Sequence, residues 1–149
     1  MAKAILLSGA QASGKSTYAT RLGVVVHSRD EVRVRLRTKN SSVSEDVIWS
    51  TVLEEMVATL QSGRDAVLDS TLANPKRRDE AIALFEAMAC TVEIHRVHTP
   101  LVECHRRNGC RPASIKVRPA DIDHMHRQIE DAFTSNPPRC RVVNVSGIF

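Results

Sequence analysis

Residues Ile5-Leu6-Leu7-Ser8-Gly9-Ala10-Gln11-Ala12-Ser13-Gly14-Lys15-Ser16-Thr17 constrain this chain more than any other stretch. A short apolar run breaks into a glycine-bounded turn, and a helix-capable segment follows. Gly9, Gly14, Lys15 and Ser16 fit the phosphate-loop pattern of two glycines, a lysine and a hydroxyl. Two glycines let the backbone take positive φ and approach a bulky anion closely. The N–H groups of residues 9–17 then point toward phosphate oxygens, and the dipole of the following helix adds positive potential. Lys15 reaches the β and γ phosphates, and the Ser16 hydroxyl ligates Mg²⁺. The nucleotide site is therefore read as Gly9, Ala10, Gln11, Ala12, Ser13, Gly14, Lys15, Ser16 and Thr17, with ATP or another nucleoside triphosphate as ligand.

The chain has 149 residues, enough for one domain with a real core, expected over 1–149. Net charge is +4, which is compatible with a polyanionic partner without requiring one. Aromatic residues make up only 3%, so a base-stacking platform is not expected and nucleic acid would be gripped through its backbone. Cys90, Cys104, Cys110 and Cys140 form no Cys-x-x-Cys pair, and free thiols suit a cytoplasmic protein. The N-terminal apolar run is too short for a signal peptide, and no run reaches membrane-spanning length.

Short β-branched runs alternate with helical patterns, the signature of a parallel α/β sheet. Strands are expected at about 4–8, 24–27, 66–69, 91–97 and 141–145. Helices are expected from Lys15 to a stop at Gly23, over 29–37, from an N-cap at Ser44 to Gln61, and over 76–88, 101–108 and 119–133. The fold class is thus α/β, a doubly wound parallel sheet of about five strands flanked by helices, with a small lid at about 104–118. In such sheets ligands sit beyond the carboxyl ends of the strands. That rule gathers Ser28–Arg33, Asp69–Thr71 and His98–Thr99 around the phosphate loop.

Each junction carries chemistry. Asp30, after the second strand, is suited both to cap its helix and to take the proton from an attacking hydroxyl, and the two readings are not exclusive. Arg33 lies three residues on and is suited to an anionic group of the acceptor. Asp69, at the tip of the third strand, is placed to face Mg²⁺ beside Ser16. No second acid follows it to orient a water, which disfavours a simple hydrolase. Arg107 and Arg111 lie beside helix breakers and read as cationic fingers of a mobile lid. Arg77 and Arg78 begin a helix, where the dipole disfavours cations, so a ligand or an acidic partner is expected. No histidine is assigned to catalysis.

Taken together, Gly9–Thr17, Ser28-Arg29-Asp30 with Arg33, Asp69-Ser70-Thr71, and Arg107-Asn108 with Arg111 resemble the phage-type polynucleotide 5′-kinase domain, within the wider phosphate-loop kinase class. The similarity spans residues 2 to about 130. It implies that Asp30 is the general base and that Arg33 grips the acceptor's phosphate. It also implies that Arg111 contacts the donor phosphates with Arg107 in support, and that Asp69 takes the third-strand position. On this resemblance Lys15 belongs with the catalytic residues. Arg29, Asp69, Thr71 and Arg78 join Arg33 as substrate-binding candidates. Mg²⁺ and ATP are implied as cofactor and donor, and a 5′-OH nucleic acid end as acceptor. The motifs recur in small-molecule kinases, so a nucleoside, modified base or other small acceptor is the alternative. A non-catalytic nucleotide switch would leave Asp30 and the lid arginines without a role.

Overall fold

The computed structural model describes residues 1–148, and Phe149, the last residue of the expected domain, lies outside the described residues. The elements are β1 (Lys3–Ser8), α1 (Lys15–Arg21), β2 (Val25–Ser28), α2 (Arg29–Lys39), α3 (Glu45–Gln61), β3 (Ala66–Asp69), α4 (Pro75–Ala87), β4 (Thr91–His98), α5 (Leu101–Gly109), α6 (Pro119–Thr134) and β5 (Arg141–Ser146). Every expected strand and helix is present, with ends moved by one or two residues.

All strand pairs are parallel, in the order β2-β3-β1-β4-β5. The chain leaves β1 toward one edge and later returns to its other side. A crevice therefore opens at the carboxyl end of β1, where the phosphate loop begins. The central strands are covered on both faces, which explains their nearly continuous apolar runs. Ala4, Leu6, Leu68 and Ile94 pack with Ile48, Val52 and Met56 of α3 and Phe85 of α4. Ile5, Leu7 and Val67 face α1 through Ala19, Tyr18 and Leu22.

β4 alternates apolar with polar residues along most of its length, and two of the polar ones are drawn inside. Glu93 and His95 are buried. His95 Nδ1 meets the Tyr18 hydroxyl at 2.6 Å, and its Nε2 lies 3.2 Å from Glu93. Lys3 and Arg141 add ion pairs to Glu93 at 3.5 and 3.1 Å. The hydrogen bond to His95, aided by these cations, holds the Glu93 carboxyl below its ordinary range.

Helix starts explain the site's polarity. Ser28 Oγ accepts from Glu31 N at 3.2 Å, and Ser44 Oγ accepts from Val47 N at 3.3 Å. Asn74 Oδ1 accepts from the N–H groups of Lys76 and Arg77. These caps satisfy the first-turn donors of α2, α3 and α4. Ser28, not Asp30, is the cap of α2. α1 starts at Gly14 with no side-chain cap and no acid in its first turn. Its free N–H groups remain directed at an incoming anion. Among the described residues, no helix is long and apolar enough to cross a membrane.

Candidate active site

The phosphate loop closes through a Ser13 N–H to Ala10 carbonyl bond of 3.2 Å. Ala12 and Gly14 carry positive φ, at 63° and 90°. Gly9 does not; its requirement is space, not φ as the spacing predicts. A Cβ there would lie 2.7 Å from Ser13 Oγ and 3.3 Å from the Val97 carbonyl. The Thr99 hydroxyl, at the carboxyl end of β4, donates to the Ser13 carbonyl at 2.5 Å. The expected His98–Thr99 junction therefore holds the loop from behind.

Lys15 Nζ lies 3.0 Å from Asp69 Oδ1, and Ser16 Oγ donates to Asp69 Oδ2 at 2.9 Å. Parallel pairing of β1 with β3 brings the two strand ends side by side and so makes this contact. The Asp69 carboxylate is buried, and its Oδ1 has no aligned hydrogen bond among the described residues. A carboxylate and a hydroxyl, both hard oxygen donors, fit Mg²⁺. Asp69 thus lies against Lys15 and Ser16 and is not among the residues that line the neighbouring cavity at the starts of α2, α3 and α4.

Two cavities meet here. One, of about 360 Å³, is walled by the phosphate loop and Arg111. The other, of about 510 Å³, is walled by the N-terminal ends of α2, α3 and α4 and the segment after β3. Gln11, Lys15, Asp30, Thr71 and Val117 line both. The Asp30 side chain is 83% exposed and is ion-paired with Arg33. It therefore stands open at the mouth shared by the two cavities.

Glu45 organises the larger cavity, and sequence reading missed it. Its oxygens take Arg33 Nε at 2.8 Å and Arg33 Nη2 at 3.0 Å. Arg29 Nη2 reaches it at 3.0 Å and Arg37 Nη2 at 3.2 Å. Hydrogen bonds from Arg33, with further contributions from Arg29, hold the Glu45 carboxyl at about 2, well below its ordinary value. Arg33 is pushed up, chiefly by the same bond, whereas burial and neighbouring cations push Arg29 down. The available signal was the spacing of Arg29, Arg33 and Arg37, an i, i+4, i+8 stripe that calls for an acid on a facing element. Arg77 found the acidic partner expected of it, Asp46 at 2.8 Å, and also reaches the Glu45 carbonyl.

Arg78 differs from expectation. It is 1% exposed and donates to the Ala132 carbonyl at 2.8 Å and the Asn136 carbonyl at 2.5 Å. Its Nε bonds Asp79 at 3.0 Å. Two of these bonds tie the start of α4 to the end of α6 and the turn after it, and the residue also lines the larger cavity. Thr71 lines both cavities, and its carbonyl accepts from the Ser8 hydroxyl at 3.0 Å.

The lid runs from α5 to α6. Asn108 pins it with two bonds to the Val117 backbone, at 2.7 and 3.0 Å, and His105 meets Asp123 at 2.7 Å. Arg111 lines the cavity walled by the phosphate loop. Arg107 does not line it. Arg107 donates to Glu103 at 3.1 Å, to the Ala12 carbonyl at 3.5 Å and to the Gly147 carbonyl at 2.9 Å. The paired fingers expected from their i, i+4 spacing therefore become one cation at the cavity and one brace. Gly147 sits so close that a Cβ would lie 1.7 Å from Thr99 Oγ1.

Solved structures resemble this fold. A gluconokinase from Sinorhizobium meliloti 1021 matches with a TM-score of 0.64 at 17% identity, over 99% of this chain and 83% of that one. A candidate kinase from Chloroflexus aurantiacus j-10-fl gives 0.70 at 17% identity, over 99% and 86%. A chain of the Pnkp1/Rnl/Hen1 complex gives 0.62 at 22% identity, over 75% of this chain and 40% of that one. No curated protein matches the sequence. A family model described as an AAA domain matches residues 5–132, most of the chain and every residue that lines the two cavities. The chain therefore belongs to this AAA domain family and carries its phosphate loop on a sheet of phosphate-loop kinase type.

Proposed function

We propose that this protein transfers the γ-phosphoryl group of ATP to a hydroxyl, and that the acceptor is the 5′-OH end of a nucleic acid. The observation that carries the reading is the common wall of the two cavities, formed in part by Lys15, Asp30 and Gln11. A donor held in one cavity and an alcohol held in the other would meet at that wall.

The loop N–H groups, the start of α1 and Lys15 hold the donor phosphates. Ser16 and Asp69 would hold Mg²⁺, which when bound neutralises phosphate charge. Asp30 accepts the alcohol's proton as its oxygen attacks. Arg33, oriented by Glu45, positions an anion of the acceptor. Arg111 faces the charge spread over the transferring oxygens. Leu72, Val117 and Met125 give the acceptor cavity an apolar side, which favours as second reading a small hydroxyl compound.

The test is transfer from γ-labelled ATP to a 5′-OH oligonucleotide beside a panel of nucleosides and sugar acids. Labelled oligonucleotide, with an acceptor KM that rises steeply with salt, supports the first reading. Label on a small compound alone moves the assignment to the second. No transfer to any acceptor while ATP still binds would leave a nucleotide switch.

A further inference from the structure

Three polar atoms on the acceptor cavity's residues are buried with no hydrogen-bond partner among the described residues: Trp49 Nε1, Arg29 Nε and Gln11 Oε1. Trp49 lies on α3 one turn beyond Glu45 and is 6% exposed. The Arg29 guanidinium carbon stands 5.2 Å from the centre of the indole ring, while its Nη2 is committed to Glu45. An indole N–H and a guanidinium N–H can only donate. Leaving one such donor buried and unpaired forfeits its hydration without a replacement bond, so two beside one cavity need a reason.

Their placement gives the cavity a direction. Gln11, like Asp30, lies on the wall common to both cavities, and its free carboxamide oxygen can only accept. Trp49 and Arg29 line the acceptor cavity alone. A bound molecule would thus present a hydroxyl toward Gln11 and an oxygen acceptor toward Trp49 and Arg29. Charge selects the kind of oxygen. Arg29, Arg33 and Arg37 share the single carboxylate of Glu45, and among the described residues only Arg33 has a second acid, Asp30. The region therefore keeps uncompensated positive charge.

We propose that Trp49 Nε1–H and Arg29 Nε–H form a donor pair that binds an anionic oxygen of the acceptor and selects alcohols bearing a phosphate or carboxylate near the reacting hydroxyl. The inference rests on the acceptor-cavity reading above. A nucleic acid end supplies such an oxygen from its first phosphodiester, and a sugar acid supplies it from its carboxylate.

Trp49 is the only tryptophan of the chain, so its emission reports on the site directly. The intact protein is first saturated with a non-hydrolysable ATP analogue and Mg²⁺, so that added phosphate cannot occupy the loop. Thymidine 3′-monophosphate, thymidine, gluconate and inorganic phosphate are then titrated separately. A saturable emission change is expected with at least one anion-bearing probe and none with thymidine. The better of thymidine 3′-monophosphate and gluconate identifies the source of the oxygen. Trp49→Phe keeps the ring but loses the N–H; measured by calorimetry, it should bind the preferred probe about 10- to 100-fold more weakly, the loss of one hydrogen bond to a charged group. Arg29→Lys keeps the charge, loses Nε–H, and should weaken binding similarly if Trp49→Phe fails to fold. Both should raise acceptor KM while leaving kcat and ATP KM unchanged. An equal response to thymidine, silence to every anion, or wild-type affinity in both variants would overturn the donor pair. If oligonucleotides accept no phosphoryl group but an anion still shifts emission, the nucleic-acid reading falls and the donor pair stands. If transfer proceeds and both variants keep wild-type acceptor KM, the reverse holds.

Discussion

Glu45 grips Arg33 through both carboxylate oxygens, at 2.8 Å to Nε and 3.0 Å to Nη2, across the gap between α3 and α2. A bidentate pair fixes the plane of a guanidinium as well as its position. It leaves Arg33 Nη1 turned toward Asp30, so the cation proposed to grip the acceptor and the carboxylate proposed as base are aligned by one acid.

That acid carries a pH signature. The Glu45 carboxyl lies at about 2 in the folded chain against an ordinary 4.5. A depressed folded value contributes stability that is complete above the unfolded pKa and is lost as pH falls toward the folded one. Wild type should lose stability between about pH 4.5 and 2 in excess of Glu45→Gln, followed by circular dichroism in an acid titration. The excess should stay below about 1 kcal/mol, because the side chain is 40% exposed and solvent screens the pair. Identical acid slopes for both proteins would remove Glu45 from this role.

Asp30→Asn should lower kcat by roughly 10²- to 10⁴-fold, the range typical of losing a general base. ATP affinity should be nearly unchanged, since donor contacts come from the phosphate loop. Transfer assays on the best acceptor and equilibrium ATP binding decide it; a mutant with wild-type kcat excludes Asp30 as base.

Asp69→Asn removes the charge that lies 3.0 Å from Lys15 and accepts from Ser16. Apparent Mg²⁺ affinity should fall by roughly 10- to 100-fold, comparable with the loss of a residue that orients a metal site. A titration of ATP binding against Mg²⁺ reads this, and an unshifted curve would assign Asp69 to holding Lys15 alone.

Arg78→Met should destabilise the fold by about 2–4 kcal/mol, because the Ala132 and Asn136 carbonyls lose their donors. The melting temperature should drop by several degrees while acceptor KM stays near wild type. A raised KM with unchanged melting temperature would restore Arg78 to the substrate site.

The acid at position 45 also shows where sequence reading stops. The phosphate loop, the apolar strands and the acid at the tip of β3 are local signals, because loop geometry and strand burial depend on residues adjacent in the chain. Their sequence therefore determined the five-strand parallel sheet, the phosphate loop and the presence of an acid at the carboxyl end of β3. Tertiary structure alone decided the partners of the cations. Glu45 reaches Arg33 across a helix–helix gap, Arg78 is drawn inward by carbonyls more than 50 residues away, and Arg107 is taken up by the Gly147 carbonyl 40 residues on. A guanidinium on a flexible stem pairs with whatever acceptor packing brings within reach, and that choice is fixed by the assembled fold, not by the neighbours of the arginine in the chain.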